Sequence, residues 1–402
     1  MSGLRSPPAA RPESEAADLF RAAGDPRPGG MMVLSTALNY GMFVMPIHDP
    51  KKPLAQCYDE DLELAVKCEE SGFRDFWVGE HHSSRYENIV MPEIFLGKVL
   101  GMTKTMRVGA APVCLQYHPP AHVASRLAFL DHLSHGRLNV CFGPGAVATD
   151  MELYGIDPQE SGARVAEAID MILKIWTSDP PYDLNGRFWK VRLSDTIDAE
   201  MGIGALHKPM QRPTPPIFVP GISRASAGLK AAAARGFRLI SHHMLHEEVL
   251  AAQWKTFAEG AASVERPADP SEWSVSRNIL VADTTAEARE LARRNSLGSC
   301  IQYILELTKR TSGSGLTIWK PDPEMSDDDC NLDYFTNEVV IAGDPEEVAR
   351  RILQLRERIG PFGTLVLVAH DWDDRDVWKR SLELFAHEVA PRLNGSVETG
   401  SG

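Results

Sequence analysis

Apolar positions along the chain fall into two alternating patterns. Short unbroken runs, of the kind buried strands show, occur at 38–45, 73–78, 106–115, 137–142, 216–220, 237–242, 275–282 and 364–369. Between them lie longer segments with apolar residues at helical spacing, at about 54–71, 92–103, 120–134, 160–177, 223–235, 246–263, 284–310, 345–359 and 373–390. In the first of these, Leu62, Leu64, Ala65, Val66 and Cys68 favour one side, and Asp59-Glu60-Asp61 suits the positive end of a helix dipole. Glycines punctuate the alternation at Gly72-Phe73, Gly136-Arg137, Gly236-Phe237 and, after Pro361, Gly363-Thr364, where a chain leaving a helix needs positive φ. Roughly eight such units predict an α/β fold, a (β/α)8 TIM barrel with insertions at the carboxyl-end loops.

Two stretches interrupt the alternation. Residues 179–212 carry Pro180-Pro181, Asn185-Gly186 and an alternating Trp189, Val191, Leu193, which predicts an inserted hairpin and loop over the barrel mouth. Residues 311–336, rich in Ser, Gly, Asp and Pro, predict a mobile segment. Long loops at the catalytic face often act as lids. The expected organisation is one barrel domain over 37–394, with a disordered leader at 1–36, in which 15–23 could form a short helix, and a disordered tail at 395–402.

Composition narrows the function. With 43% hydrophobic residues in 402, the chain can bury a full core. A formal net charge of -13 without a basic block argues against nucleic acid as a partner, so a small molecule is expected. Six cysteines (Cys57, Cys68, Cys114, Cys141, Cys300, Cys330) lack CxxC spacing, which fits free buried thiols in a reducing, cytoplasmic compartment. No apolar run approaches the ~20 residues that span a bilayer, and the first thirty residues lack a secretory signal's apolar centre. No membrane association is expected.

The richest candidate chemistry is Phe76-Trp77-Val78-Gly79-Glu80-His81-His82, a buried strand ending in a carboxylate and two imidazoles. In parallel α/β folds ligands bind at the carboxyl ends of strands. Successive strand residues point to opposite faces, so His81 and His82 are not expected to face one ligand together. Two readings stay open: a cluster that hydrogen-bonds loop backbone, or proton transfer at a reaction centre by a histidine that Glu80 helps to fix. Metal binding is the weakest reading, because adjacent strand histidines chelate poorly and no HExxH is present.

The second candidate is Gly221-Ile222-Ser223-Arg224-Ala225-Ser226, ahead of an Ala-rich helix. Two hydroxyls, a guanidinium and unpaired helix-start N–H groups suit a phosphate; the competing reading is simple capping by Ser223. Gly143-Pro144-Gly145 ends another strand, and a lone GxG is weak evidence beyond a tight turn. Val108-Gly109-Ala110-Ala111-Pro112 offers small residues that would let a flat ring approach, or that simply pack. His242-His243 and His370-Asp371-Trp372 end later strands on the same side. The absence of GxSxG disfavours Ser-His-Asp hydrolysis.

Taken in order, FWVGEHH (76–82), FLDHLSHGRL (129–138), the glycine turn at 143–145 with Leu153-Tyr154-Gly155, GISRAS (221–226) and AHDWDD (369–374) make the chain resemble the bacterial luciferase-like flavin monooxygenases, in particular the limonene-monooxygenase-like branch. The resemblance covers about Tyr40 to Leu393. It implies a usually dimeric barrel that takes reduced FMN (FMNH2) from a separate flavin reductase and reacts it with dioxygen. The resulting flavin hydroperoxide oxygenates an apolar small molecule such as a terpene, ketone or aldehyde. It further implies that His81 is catalytic with Glu80 beside it, that Ala110 and Ala111 face the flavin ring with a cis bond at Ala111–Pro112, and that Ser223 and Ser226 hold the phosphate. Gly143, Gly145 and Gly221 complete the expected cofactor contacts. Where luciferase has a cofactor-contacting arginine and tyrosine in the glycine-turn segment, this chain has Pro144 and Val147, leaving phosphate neutralisation to Arg224. Related barrels use a deazaflavin for hydride transfer, which keeps a dehydrogenase open, as does a flavin-binding protein without turnover.

Overall fold

The computed structural model describes residues 37–45 and 47–395. The expected leader, Pro46 and all but the first residue of the expected tail lie outside the described residues. Strands run in the order β1 (Asn39–Val44), β2 (Asp75–Val78), β3 (Arg107–Ala110), β4 (Val113–Cys114), β5 (Val140–Gly143), β6 (Tyr182–Asn185), β7 (Lys190–Leu193), β8 (Ile217–Gly221), β9 (Arg238–Ser241), β10 (Trp273–Arg277), β11 (Ile279–Val281), β12 (Ile341–Gly343) and β13 (Thr364–Ala369). Nine form one parallel sheet in the order β3-β2-β1-β13-β10-β9-β8-β5-β4. β3 and β4 are halves of a single strand interrupted at Ala111–Pro112, a cis peptide as expected. One half pairs with β2 and the other with β5, so the sheet closes on itself as an eight-stave barrel.

Alternation along the staves separates two apolar compartments. Phe43, Trp77, Ala111, Cys141, Phe218, Ile240 and Val366 pack inside the barrel, while the larger core lies between barrel and helices. Gly109 belongs to this interior packing. A Cβ there would sit 2.6 Å from the Trp77 ring, so the space left by this small residue is filled by Trp77 and not by a ligand.

Several expected boundaries shift. The run 275–282 is not one strand: the chain leaves the barrel at Asn278, and β11 pairs with β12 in a separate two-stranded sheet. The expected helix 284–310 is two, Thr285–Arg294 and Ser296–Thr311, with Asn295 between them accepting the Leu297 N–H at 3.0 Å. Gly72, Gly136 and Gly236 have positive φ as predicted, but before β13 that role falls to Gly360 at +92°. Gly363 is instead a close approach, since a Cβ would lie 2.7 Å from Ser271 Cα.

The largest correction concerns the stretch 179–212. Its hairpin forms as β6 and β7 but does not cover the mouth. It joins the end of helix Ser161–Thr177 to the start of β8, and a connection from helix to strand lies at the amino ends of the staves. Gln211 is bound there, donating from Nε2 to Asp131 and to the Leu138 carbonyl (both 2.8 Å) and accepting from Arg107 Nη2 (3.0 Å). The hairpin turn is held from the flank, where the Glu167 carboxylate accepts the N–H groups of Arg187, Phe188 and Trp189 at 2.7–3.0 Å. The stretch 311–336 does lie at the mouth, and its turn Thr317–Trp319 is tied by Trp319 Nε1 donating to Thr308 (2.9 Å) and Lys320 pairing with Asp327 (2.7 Å).

Candidate active site

At the carboxyl ends of the staves a cavity of about 370 Å³ opens, with walls that include Phe43, Ala111, Pro112, Ile240, Trp319 and His81. Glu80, directly after β2 and Gly79, is buried beneath it. Its Oε2 accepts the Cys114 N–H (2.9 Å), and its Oε1 meets Nε2 of His118 (2.6 Å) and Nε2 of His82 (2.9 Å). Burial alone would raise the Glu80 carboxyl, but the bonds from His118, His82 and the Cys114 backbone outweigh it and hold the group down at about 2. An ionised carboxylate only accepts, so His82 donates from Nε2, and the Tyr154 hydroxyl then donates to His82 Nδ1 at 3.0 Å. Both ring nitrogens of His82 are thereby engaged, by Glu80 and by Tyr154.

His81 is the one that faces the cavity, with 16% of its side chain exposed. Its Nε2 lies 3.3 Å from Glu87 Oε1 and its Nδ1 3.9 Å from Asp150 Oδ2. Both carboxylates are buried and anchored: Tyr303 donates to Glu87 Oε2 (3.1 Å), while the His82 N–H and the Ser83 hydroxyl donate to Asp150. An imidazole flanked by two fixed acceptors can hold or pass a proton at the cavity wall.

Two further histidines share the cavity. His242 and His243 stack on one another at 4.3 Å between ring centres, and burial pushes both down, His242 to about 4. Asn278 Nδ2 lies 3.0 Å from His243 Nδ1, while His243 Nε2 and Asn278 Oδ1 are buried without partners among the described residues. Of the two, His243 Nε2 belongs to a residue that lines the cavity, where an unpartnered ring nitrogen can meet a ligand's donor or acceptor.

The turn after β8 sits at the cavity edge, where Ile222 is part of the wall. The following helix begins at Ala227, not at the expected 223, and Ser226 caps it by accepting the Leu229 N–H at 3.0 Å. The reason is tertiary: Gln253 Nε2 donates to the Ser223 carbonyl (2.9 Å), and Gly221 leaves room for Gln253, since a Cβ there would lie 2.9 Å from its Oε1. The Ser223 hydroxyl and Arg224 guanidinium have no hydrogen bond or ion pair among the described residues, which leaves them free for an anion.

Not every expected site residue is brought together. Ala111 and Gly145 line the cavity, but Ala110 points outward into the helix-side core, as alternation requires. Gly143 is a packing glycine, since a Cβ would lie 2.8 Å from Pro112 and 3.0 Å from Pro220. The strand end at 370–372 also departs from expectation. His370 borders a separate small void, and Asp371 Oδ1 is taken by His48 Nδ1 (3.0 Å) and Lys52 Nζ (2.8 Å). Glu87, Asp150 and His118 escaped the sequence reading. His118 had a signal, a polar residue closing an apolar run before Pro119-Pro120, whereas Glu87 lies in a loop and Asp150 in the short helix Ala148–Leu153, whose directions only the fold decides.

The sequence matches the family described as luciferase-like monooxygenase over residues 38–361. It is 32% identical over 371 residues to 2,5-diketocamphane 1,2-monooxygenase 1 of Pseudomonas putida, covering 88% of this chain and 98% of that protein. It is 29% identical over 363 residues to limonene 1,2-monooxygenase of Rhodococcus erythropolis, covering 90% and 88%. The solved structure of the oxygenating constituent of 3,6-diketocamphane monooxygenase from Pseudomonas putida, a type II Baeyer-Villiger monooxygenase in complex with FMN, superposes with a TM-score of 0.79 at 27% identity, covering 88% of this chain and 98% of that one. With that breadth of match on a barrel of the same kind, the chain belongs to the luciferase-like monooxygenase family, in the branch that holds the limonene and diketocamphane enzymes.

Proposed function

We propose that this oxidoreductase is the oxygenating component of a two-component monooxygenase, receiving reduced FMN from a separate flavin reductase and inserting one atom of dioxygen into an apolar small molecule such as a terpene, ketone or aldehyde. The observation that carries the reading is His81, set between Glu87 and Asp150 on the wall of a largely apolar cavity that Ile222, just ahead of the unengaged Ser223 and Arg224, helps to line. These residues fit FMN. Ala111, Pro112 and Ile240 offer flat apolar surface for the ring, His243 on the cavity wall has an orphaned Nε2, and the turn at 223–226 suits a phosphate. When bound, reduced FMN supplies the electrons that activate dioxygen.

The chain's own side chains do the rest. Arg224, Ser223 and the N–H groups at the start of helix Ala227–Ala234 bind the phosphate, His81 holds or moves a proton at Nε2, and Glu80 fixes the His82–Tyr154 pair beneath the cavity. Trp319 and Ile318, from the stretch over the mouth, help to exclude water. A homodimer is supported by a row of exposed apolar residues on helices Pro92–Met102 and Pro120–Leu133, among them Ile94 (72% exposed) and Phe129 (61%). Six free, buried cysteines support a cytoplasmic setting.

The test is to load the protein anaerobically with reduced FMN and add labelled dioxygen with a panel of terpenes, ketones and aldehydes. Label in a product is expected. No label across the panel, together with tighter binding of a deazaflavin than of FMN, would overturn the reading in favour of hydride transfer.

A further inference from the structure

β10 has two faces, and only one belongs to the cavity described above. Ser276 looks into the barrel mouth, whereas Arg277, next along the strand, lines a separate polar cavity of about 380 Å³ on the outer flank. Its walls carry five arginines, Arg277, Arg289, Arg350, Arg351 and Arg358, against three glutamates, in a chain whose net charge is -13. Three of the guanidiniums are matched. Arg289 and Arg350 pair with Glu347 (3.3 and 2.7 Å), and Arg358 pairs with Glu247 (2.8 Å).

The other two have no carboxylate within ion-pair distance among the described residues. Arg351 donates to the carbonyls of Val340 (2.6 Å), Asn337 (3.2 Å) and Glu338 (3.4 Å). Arg277 is 3% exposed and, among the described residues, donates only to the Ser276 carbonyl at 3.1 Å. Burial pushes its guanidinium down to about 10; Glu247 partly opposes this and the Arg351 charge adds to it. A buried, unmatched cation is costly in a folded protein, and an anion seated against it would remove that cost.

We propose that this cavity binds a small phosphorylated ligand, with Arg277 and Arg351 engaging the phosphoryl oxygens and Arg350 closing over them. Converging planar guanidiniums match the several oxygens of a phosphomonoester or diphosphate, which several of them can share. The volume exceeds what a bare ion needs, and Glu247, Glu338 and Asn337 offer acceptors for the hydroxyls of an attached sugar. The site is distinct from the turn at 223–226 and does not rest on the flavin reading.

The experiment is calorimetric titration of the full chain at constant ionic strength with inorganic phosphate, pyrophosphate and ADP. An Arg224→Ala background is used so that the turn after β8 does not compete. Saturable binding of at least one probe is expected, tighter for ADP if the natural source is an organic phosphate and for pyrophosphate if it is the free anion. Adding Arg277→Met should weaken it at least tenfold, and so should Arg350→Gln, a half-exposed change that leaves the fold in place should the buried variant fail. No saturation with any of the three probes, or unchanged affinity in whichever of the two variants folds, overturns the proposal.

Discussion

His81 Nε2 lies 3.3 Å from Glu87 Oε1, and the far oxygen of the same carboxylate receives the Tyr303 hydroxyl at 3.1 Å. The imidazole at the cavity wall is therefore oriented by a buried acid that a helix far along the chain holds in place. His81→Ala should lower oxygenation by roughly 10²–10⁴ while leaving FMN affinity nearly unchanged, because the ring is asked to handle a proton and not to bind the cofactor. Glu87→Gln keeps the shape and removes the charge. It should lower turnover by about tenfold or more and displace the pH profile, and steady-state rates across pH for both variants check this.

Ser223 and Ser226 separate binding from folding. Ser226 caps a helix, so Ser226→Ala should cost about 1 kcal/mol of stability in addition to any loss of FMN affinity. Ser223→Ala breaks no internal side-chain bond and should weaken FMN by about 1.5–3 kcal/mol with the unfolding midpoint unmoved. Titration of FMN alongside denaturant melts of each variant distinguishes the two. An unchanged dissociation constant in Ser223→Ala would remove that hydroxyl from the cofactor site.

His48 sets a pH dependence. Burial alone would lower its pKa, but bonds to Asp371 and Asp61 raise it from 6.5 to about 9. A folded value above the unfolded one means that its contribution is fully present below about pH 6.5 and is lost as pH rises through 9. Denaturant midpoints should fall between pH 7 and 9.5 in the parent chain. His48→Asn should be less stable at pH 6 and should show a flatter decline over that window.

Ile94 and Phe129 expose large apolar surface on neighbouring helices. Ile94→Glu with Phe129→Glu should convert a dimer to a monomer of unchanged far-UV spectrum, read by sedimentation or light scattering. A parent chain that is already monomeric at micromolar concentration would refute the dimer.

How much of this was legible in advance follows from the range of the forces involved. The barrel was readable because apolar period and strand-end polarity are local, and Glu80-His81-His82 stood out for the same reason. The alternation rule foretold that His81 and His82 would not both face the cavity, and the same rule, applied to Ala110 and Ala111, would have shown that only one of those two does. The helix start at Ser226 was less accessible. Ser223 and Ser226 are both competent caps, and the choice is made by Gln253, which arrives from another helix to take the Ser223 carbonyl. Tyr303 gave no local sign, since its partner lies 216 positions away. That 179–212 starts and ends at the amino ends of the staves was, by contrast, decidable beforehand, because the segment leaves a helix and enters a strand.

That placement has a practical side. A turn of the insertion, closed by Asp198 bridging to Ile203, carries Met201 at 72% exposure on a connection that starts and ends at the amino ends of the staves and contributes nothing to the cavity lining. A fluorophore or surface tether attached there would leave the opposite opening pointing into solution, so an immobilised enzyme could be fed with reductant and oxygen without its attachment standing in the way.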